Sequence, residues 1–526
     1  MPVDNAHPTR VRRACDGCRL RKVKCDGAQP CANCETHGIR CVGATHEPER
    51  RKNPIRGRLV AKARGEITGE PSPPQAQLPV TVYGSQLSPG QTVLLGSSSG
   101  PPPPKEFFRN LLPQFEQIIY PFNPAVSPVD IFAAIDAMDE SFEDAALVYA
   151  FGATTAFLTE TSATMHGDAA SQMNELLQYS LEAHRRVDLG PDSFIRLDET
   201  PLITNKRIMT CIYLEIAMMP LKFYDRSFGH LREAITMIQV VQTRQRSAET
   251  LRGADLIMFQ RLYWEAYIHE RFLTIASGFP SILPPLKSGV PMRDPIIAAH
   301  IQIGFDRIIE LFTILDDVFL SNWDGREDRA MQITVDWIES KQVQLDQHEI
   351  NAAESERELR FSGHDGFTEL QHADLFITRL WIRTLLWQLA LSKGFLRLAP
   401  AHTHEGLSLQ FPALRLTTQL RSLVSRLDSI ASISTQGSGI LQKLFEITST
   451  IADVLAVSVN QPSMESHIED FLYIARFLIN FERMRDKHRV YLQEKMDTLR
   501  GSYPGLPFSP VPLSTLSQVS SPMDQL

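Results

Sequence analysis

Cys15-Asp-Gly-Cys18-Arg19-Leu-Arg21-Lys22-Val-Lys24-Cys25-Asp-Gly-Ala-Gln-Pro30-Cys31-Ala-Asn-Cys34-Glu-Thr-His-Gly-Ile-Arg-Cys41 holds six of the chain's seven cysteines. The spacing repeats: Cys, two residues, Cys, six residues, Cys, then a five-residue gap and the same unit again. Each half offers three thiolates, whereas a structural zinc takes four ligands in a tetrahedron. Six sulfurs therefore serve two ions only when two of them bridge. The pseudo-symmetric choice is the first cysteine of each half, Cys15 and Cys31. One Zn(II) then takes Cys15, Cys18, Cys25 and Cys31, and the other takes Cys31, Cys34, Cys41 and Cys15. Six thiolates around two dications leave the cluster formally anionic, and neighbouring Arg and Lys can offset that charge.

Two other readings compete. A one-zinc ribbon would use Cys15, Cys18, Cys31 and Cys34, but it leaves Cys25 and Cys41 idle at matching places. A three-disulfide module would need an oxidising compartment. The first residues carry no apolar signal-peptide core, and no apolar run approaches the ~18 residues of a membrane span. The expectation is an intracellular, membrane-free protein whose thiols stay reduced. So short a segment has little apolar surface, so bound metal should supply its folding energy.

Charge is divided unevenly. Met1–Gly65 carries 15 Lys/Arg against 6 Asp/Glu, although the whole chain is at -8. A basic end on an acidic body suggests an arm for a polyanion. Within it, Arg19, Arg21, Lys22 and Lys24 lie between two ligand cysteines and cannot turn into a core so small. A Lys or Arg facing guanine O6 and N7 is the commonest specific major-groove contact, while further cations hold phosphates and set register. The plainer alternative is that these four cations only balance thiolate charge. A second basic run, Arg50, Arg51, Lys52, Arg56 and Arg58, suits phosphate contacts, nuclear import, or both. Arg56-Gly57-Arg58 could enter a minor groove, but Leu59 stands where such hooks place proline.

The segment from Arg13 through Cys41 resembles the fungal binuclear zinc-cluster transcription factors at all six ligand positions. The resemblance implies the same two bridging sulfurs and a short helix after Cys18. It also implies that the Lys of the Arg21-Lys22 pair reads a CGG-type triplet in double-stranded DNA, and that Pro30 sits in the loop between the halves. Members of this family often dimerise through a coiled coil just after the cluster. No sustained heptads occur between Val42 and Phe107, so a homodimer is left open.

Beyond the basic arm (46–65), residues 66–104 contain 20 Pro, Gly or Ser in 39 positions and should form an extended, disordered linker. From 105 to 499 the pattern is helical. Leu441, Leu444, Phe445, Ile451 and Leu455 follow one helix face, and Leu375–Leu391 and Ile468–Met484 read as central helices. Ala145–Leu158 reads as buried helix. Asp324–Asp328 and Glu354–Arg360 read as charged surface connections. Residues 500–526 read as a disordered tail. The expected fold class is mainly α: a small zinc-cluster module (1–45), a disordered linker and a large all-α regulatory domain.

Inside that body, Arg261-Leu-Tyr-Trp264-Glu-Ala-Tyr267-Ile268-His-Glu270-Arg271, continuing to Gly278-Phe-Pro280, resembles the middle homology region of the same regulators. Trp264, Tyr267, Ile268 and Arg271 share a helix face. Glu270-Arg271 could form a buried pair, and Gly278 with Pro280 should end the helix. Core structure is the plain reading of these residues, and a small-molecule effector pocket is the sharper one. Cys211 reads as a buried thiol, and a metal role for His402 and His404 is weakly indicated. No phosphate-binding Gly-rich loop or His-Glu-x-x-His motif points to an enzyme. The expectation is a nuclear, DNA-binding activator that recruits transcription machinery for a secondary-metabolite gene cluster. Carbohydrate-use genes, or a scaffold that does not touch DNA, are the alternatives.

Overall fold

The structure, a computed structural model, describes residues 25–26, 28, 30–36, 101–159, 168–188, 203–246, 251, 253–323, 332–398, 403–427, 437–457, 464–481 and 484–502. These fall in two compact units, one containing Cys25, Cys31 and Cys34 and the other the helical body. Among the described residues there is no strand, only an isolated bridge between Arg397 and Ser408. The mainly-α expectation holds for them. The basic arm, residues 66–100 of the linker, Asp324–Asp328, His402 and residues 503–526 lie outside the described residues.

In the first unit the described helix is α1 (Ala32–Thr36), which starts directly after Cys31. The body runs α2 (Lys105–Gln114), α3 (Pro128–Ala137), α4 (Phe142–Thr159), α5 (Asp168–Arg186), α6 (Asn205–Met218), α7 (Tyr224–Arg246), α8 (Ala254–Ser277), α9 (Ala299–Thr313), α10 (Asp317–Trp323), α11 (Val335–Phe361), α12 (Glu369–Ser392), α13 (Thr417–Leu427), α14 (Gly437–Val457), α15 (Glu465–Ile479) and α16 (Asp486–Ser502). Short π-helical turns at Phe115–Ile119 and Pro412–Leu416 follow α2 and lead into α13.

Local chemistry sets many of these boundaries. Ser127 starts α3 with a capping box: its hydroxyl accepts the Asp130 N–H, Asp130 accepts the Ser127 N–H, and Pro128 fills the first turn. Thr204, Thr334 and Thr368 cap α6, α11 and α12 by accepting the N–H three residues on, and Gln371 completes a second capping box at Thr368. Gly278 closes α8 at φ 73°, with its N–H on the Thr274 carbonyl.

Helix α4 packs against α5 and α6, and α6 against α7. The far half is built on α12, which lies against α9, α11 and α14, while α15 joins α13, α14 and α16. Helices α4, α6, α8 and α12 are buried on most sides, and Trp264, Trp381 and Trp387 are among the largest fully buried side chains. Trp381 meets Phe272 of α8 at 5.8 Å and Phe312 of α9 at 6.2 Å, so aromatic packing couples the halves. Leu375–Leu391 lies within α12 and is buried on nearly every side, as expected of a central helix. Its buried cations are paired: Arg383 with Asp346 at 2.5 Å and Arg379 with Glu349 at 3.4 Å.

Two expectations change. Glu354–Arg360 is not a connection but part of the 27-residue α11. Ser355 and Leu359, four residues apart, form a narrow buried stripe there, and Glu356 pairs with Arg360 one turn on at 2.6 Å. The Ile468–Met484 helix ends at Ile479, and Met484 is buried beyond the following turn.

Candidate metal centre and ligand cavity

Of the six expected zinc ligands, the described residues include Cys25, Cys31 and Cys34; Cys15, Cys18 and Cys41 lie outside them. Cys31 and Cys34 are fully buried and Cys25 nearly so. The thiol sulfurs of Cys25 and Cys31 and a carboxylate oxygen of Asp26 lie within 4.8 Å of one another. Helix α1 places Cys34 one turn after Cys31, whose carbonyl accepts the Cys34 and Glu35 N–H groups at 2.9 and 3.0 Å. Asp26 caps this helix: its carboxylate accepts the Ala32 N–H at 2.9 Å and the Ala28 N–H at 3.2 Å. Those bonds, the Ala32 one foremost, hold its pKa below the ordinary carboxylate value. Asp26 is thus committed to the backbone, and the sulfurs are left as the soft donors. Three thiols buried in so short a segment suit Zn–S bonds of about 2.3 Å, with Cys25 and Cys31 near enough to share one ion and Cys34 left for the other. The candidate DNA-contacting residues Arg19, Arg21, Lys22, Lys24, Arg50, Arg51, Lys52, Arg56 and Arg58 lie outside the described residues, as does the helix expected after Cys18.

The motif of the body is on α8, and its polar side chains fasten the extended segment that follows. Trp264 Nε1 donates to the Gly289 carbonyl at 2.9 Å and the Tyr263 hydroxyl to the Pro284 carbonyl at 2.7 Å. Arg261 pairs with Asp294 at 2.8 Å. Glu270 accepts from the Ile282 and Leu283 N–H groups, the Ser281 hydroxyl and Arg232 at 2.6–2.9 Å. Arg271, fully buried, touches Glu270 at 3.4 Å, donates to Ser281 and to the Leu315 carbonyl, and lies 4.2 Å from the Tyr267 ring centre. The expected buried pair is present, and its work is to hold backbone.

Two clusters escaped the sequence reading because their members are far apart along the chain. In the first, His269 bridges Glu215 at 2.6 Å and Glu265 at 3.2 Å, and Asn123 donates to Glu265 at 2.6 Å. Burial alone would lower the His269 pKa, but the two carboxylates more than reverse it and push it up to about 10. This cluster lines a cavity of about 240 Å³ together with Phe272 and the Asp374–Lys443 pair. A larger cleft of about 630 Å³ is rimmed by surface charges, including Glu182, Arg185 and Arg226. The smaller cavity is the better candidate site, since its charged groups are withdrawn from water. In the second cluster, Cys211, His184 and Glu233 meet between α5, α6 and α7. Cys211 is fully buried as expected, and burial pushes its thiol pKa up. His404, adjoining Thr403, bonds Asp346 at 2.8 Å and the Gly406 N–H at 2.9 Å. It therefore serves as a turn cap.

Comparison with known proteins bears on both units. Residues 13–51 match the fungal Zn(2)-Cys(6) binuclear cluster domain, which binds two zinc ions. The chain is 24% identical over 390 residues to the maltose fermentation regulatory protein MAL33 of Saccharomyces cerevisiae, covering 72% of this chain and 73% of that one. It is 40% identical over 65 residues to the terreic acid cluster-specific transcription factor atF of Aspergillus terreus, or 12% of this chain and 10% of that one. It is 30% identical over 92 residues to the xylanolytic transcriptional activator xlnR of Neosartorya fischeri, or 18% and 10% respectively. These relatives are regulators of transcription and not enzymes.

Proposed function

We propose that this chain, a transcription regulator of the fungal binuclear zinc-cluster type, reads CGG-type triplets in double-stranded DNA through Lys22. The observation that carries the reading is the doubled Cys-x2-Cys-x6-Cys unit inside the matched domain. Cys15, Cys18, Cys25, Cys31, Cys34 and Cys41 hold the two ions, with Cys15 and Cys31 shared between them. The zinc supplies the cross-links that so small a segment cannot obtain from an apolar core. Lys22 then meets guanine O6 and N7, while Arg19, Arg21 and Lys24 secure the flanking phosphates. Arg50, Arg51, Lys52, Arg56 and Arg58 add sequence-independent affinity and serve nuclear entry.

The test is a gel shift of the full chain on duplexes with and without CGG, before and after chelation. Lys22→Ala should cost about 1–3 kcal/mol on the cognate duplex and little on random DNA. Equal losses on both would reduce Lys22 to a phosphate contact. Binding that is unchanged by chelation, or absent altogether, would favour the scaffold that does not touch DNA.

For the pathway, the longer likeness weighs more. The similarity to MAL33 extends far beyond the cluster, which supports genes of carbohydrate use. The likeness to atF is confined to 65 residues, so the secondary-metabolite reading rests on less. Transcript profiling of a deletion strain distinguishes them: loss of sugar-use transcripts supports the first, loss of a biosynthetic cluster the second. The 240 Å³ cavity, with buried acceptors and an aromatic wall, has the character of a small-molecule effector site. Met219→Trp at its lining should abolish the inducer response while leaving DNA binding intact.

A further inference from the structure

Cys211, His184 and Glu233 come from three helices, α6, α5 and α7, and their donor atoms all lie within 4.8 Å of one another. The Cys211 sulfur is 3.8 Å from His184 Nε2, and the same nitrogen is 2.8 Å from Glu233 Oε1. Bonds of about 2.3 Å to sulfur and 2.0–2.1 Å to nitrogen or oxygen in a tetrahedron set sulfur–nitrogen near ~3.6 Å and nitrogen–oxygen near ~3.3 Å. The first separation is already close to that value. The second needs only the small movement that a carboxylate makes by turning. One turn before Glu233 on α7, His230 Nδ1 lies 3.4 Å from Glu233 Oε2, placed either to become a fourth ligand or to steady the carboxylate.

Charge and access agree with a cation. A thiolate and a carboxylate together balance a dication, once the thiol proton has passed to solvent on binding. Arg207, one turn before Cys211 on α6, is already engaged by both oxygens of Asp188. Cys211 and His184 are buried, whereas the Glu233 side chain is 38% exposed and gives an ion a way in. Thiolate and imidazole donors favour zinc-like ions over magnesium or calcium.

We propose that His184, Cys211 and Glu233 form a second, separate metal centre in the helical body, binding one Zn(II)-class cation and tying α5, α6 and α7 together. The competing arrangement is a metal-free hydrogen-bonded core triad. Native mass spectrometry of the full chain, equilibrated with micromolar free Zn(II), decides between them. Three zinc ions per chain are expected, falling to two in Cys211→Ser and in Glu233→Gln. The second variant keeps its hydrogen-bonding shape while losing the charge. Far-UV dichroism of both variants shows whether the fold is retained. Co(II) substitution of a chain with Ser at all six cluster positions (Cys15, Cys18, Cys25, Cys31, Cys34 and Cys41) should still give a sulfur-to-cobalt absorption, and Cys211→Ser should remove it. Equal zinc counts in the wild type, Cys211→Ser and Glu233→Gln would overturn the proposal. A loss seen only with the six cluster changes would report on the N-terminal cluster and leave none for the body.

Discussion

Arg271 shows what a buried charge does in this fold. It is fully buried, with its guanidinium on the Tyr267 ring and its nitrogens on Glu270, Ser281 and the Leu315 carbonyl. Truncating one member of such a set strands the others, which typically costs about 3–5 kcal/mol. Arg271→Ala should therefore lower the urea midpoint of the body sharply, read by tryptophan fluorescence. Ser281→Ala removes one hydroxyl from the same set and should cost nearer ~1 kcal/mol. If the two variants lose equal stability, the guanidinium is not the centre of the cluster. The Glu270–Arg271 pair was legible in the sequence because both residues sit in one motif on one helix. His184, Cys211 and Glu233 were not, since no local period connects positions 184, 211 and 233 and only the packing of three helices does.

At the level of elements, glycine positions test whether packing or capping sets a boundary. Gly278 holds φ at 73° to close α8, so Gly278→Ala places a β-carbon in left-handed backbone at about 1–2 kcal/mol. Gly152, inside α4, is a packing glycine: a β-carbon there would come within 2.8 Å of the Phe108 ring of α2. Gly152→Ala should cost about 1–3 kcal/mol through overpacking, and Phe108→Leu in the same chain should restore part of it. A full loss that Phe108→Leu leaves unchanged would place the cost in the helix itself. Legibility at this scale followed the hydrophobic period. Leu375–Leu391 and Ala145–Leu158 were readable as helices because burial on most sides leaves long apolar runs. Glu354–Arg360 was misread because charge dominates its composition, and only the buried pair Ser355 and Leu359 shows the helix beneath. The end of α15 at Ile479 was missed because Met484, apolar and buried, continues the pattern past the turn.

At the scale of the whole molecule, all five tryptophans lie in the helical body, so their fluorescence reports on it alone. Chelation should abolish DNA binding while leaving the tryptophan signal and far-UV helix signal at room temperature nearly unchanged; a joint collapse seen equally in the Cys211→Ser chain, which lacks the proposed body site, would mean the two units are not independently stable. Proton linkage gives the body its own signature. His269 is held charged, with its pKa pushed up to about 10, so its contribution is complete below the unfolded value near ~6.5 and is lost as pH rises toward 10. Burial lowers His348 to about 4 and His488 to about 3, the latter stacked 3.8 Å from the Phe445 ring. Their contribution is complete above ~6.5 and falls away as pH drops through those values. Asp306, pushed up to about 7 by burial, works in the opposite direction between about 4 and 7, but one group offsets only part of two. Stability should therefore peak near ~pH 6.5 and decline on both sides. Urea midpoints across pH 4–10 measure this directly. In His269→Phe the alkaline decline should flatten while the acid side stays, whereas an alkaline decline of unchanged slope would show that His269 is not held charged between Glu215 and Glu265.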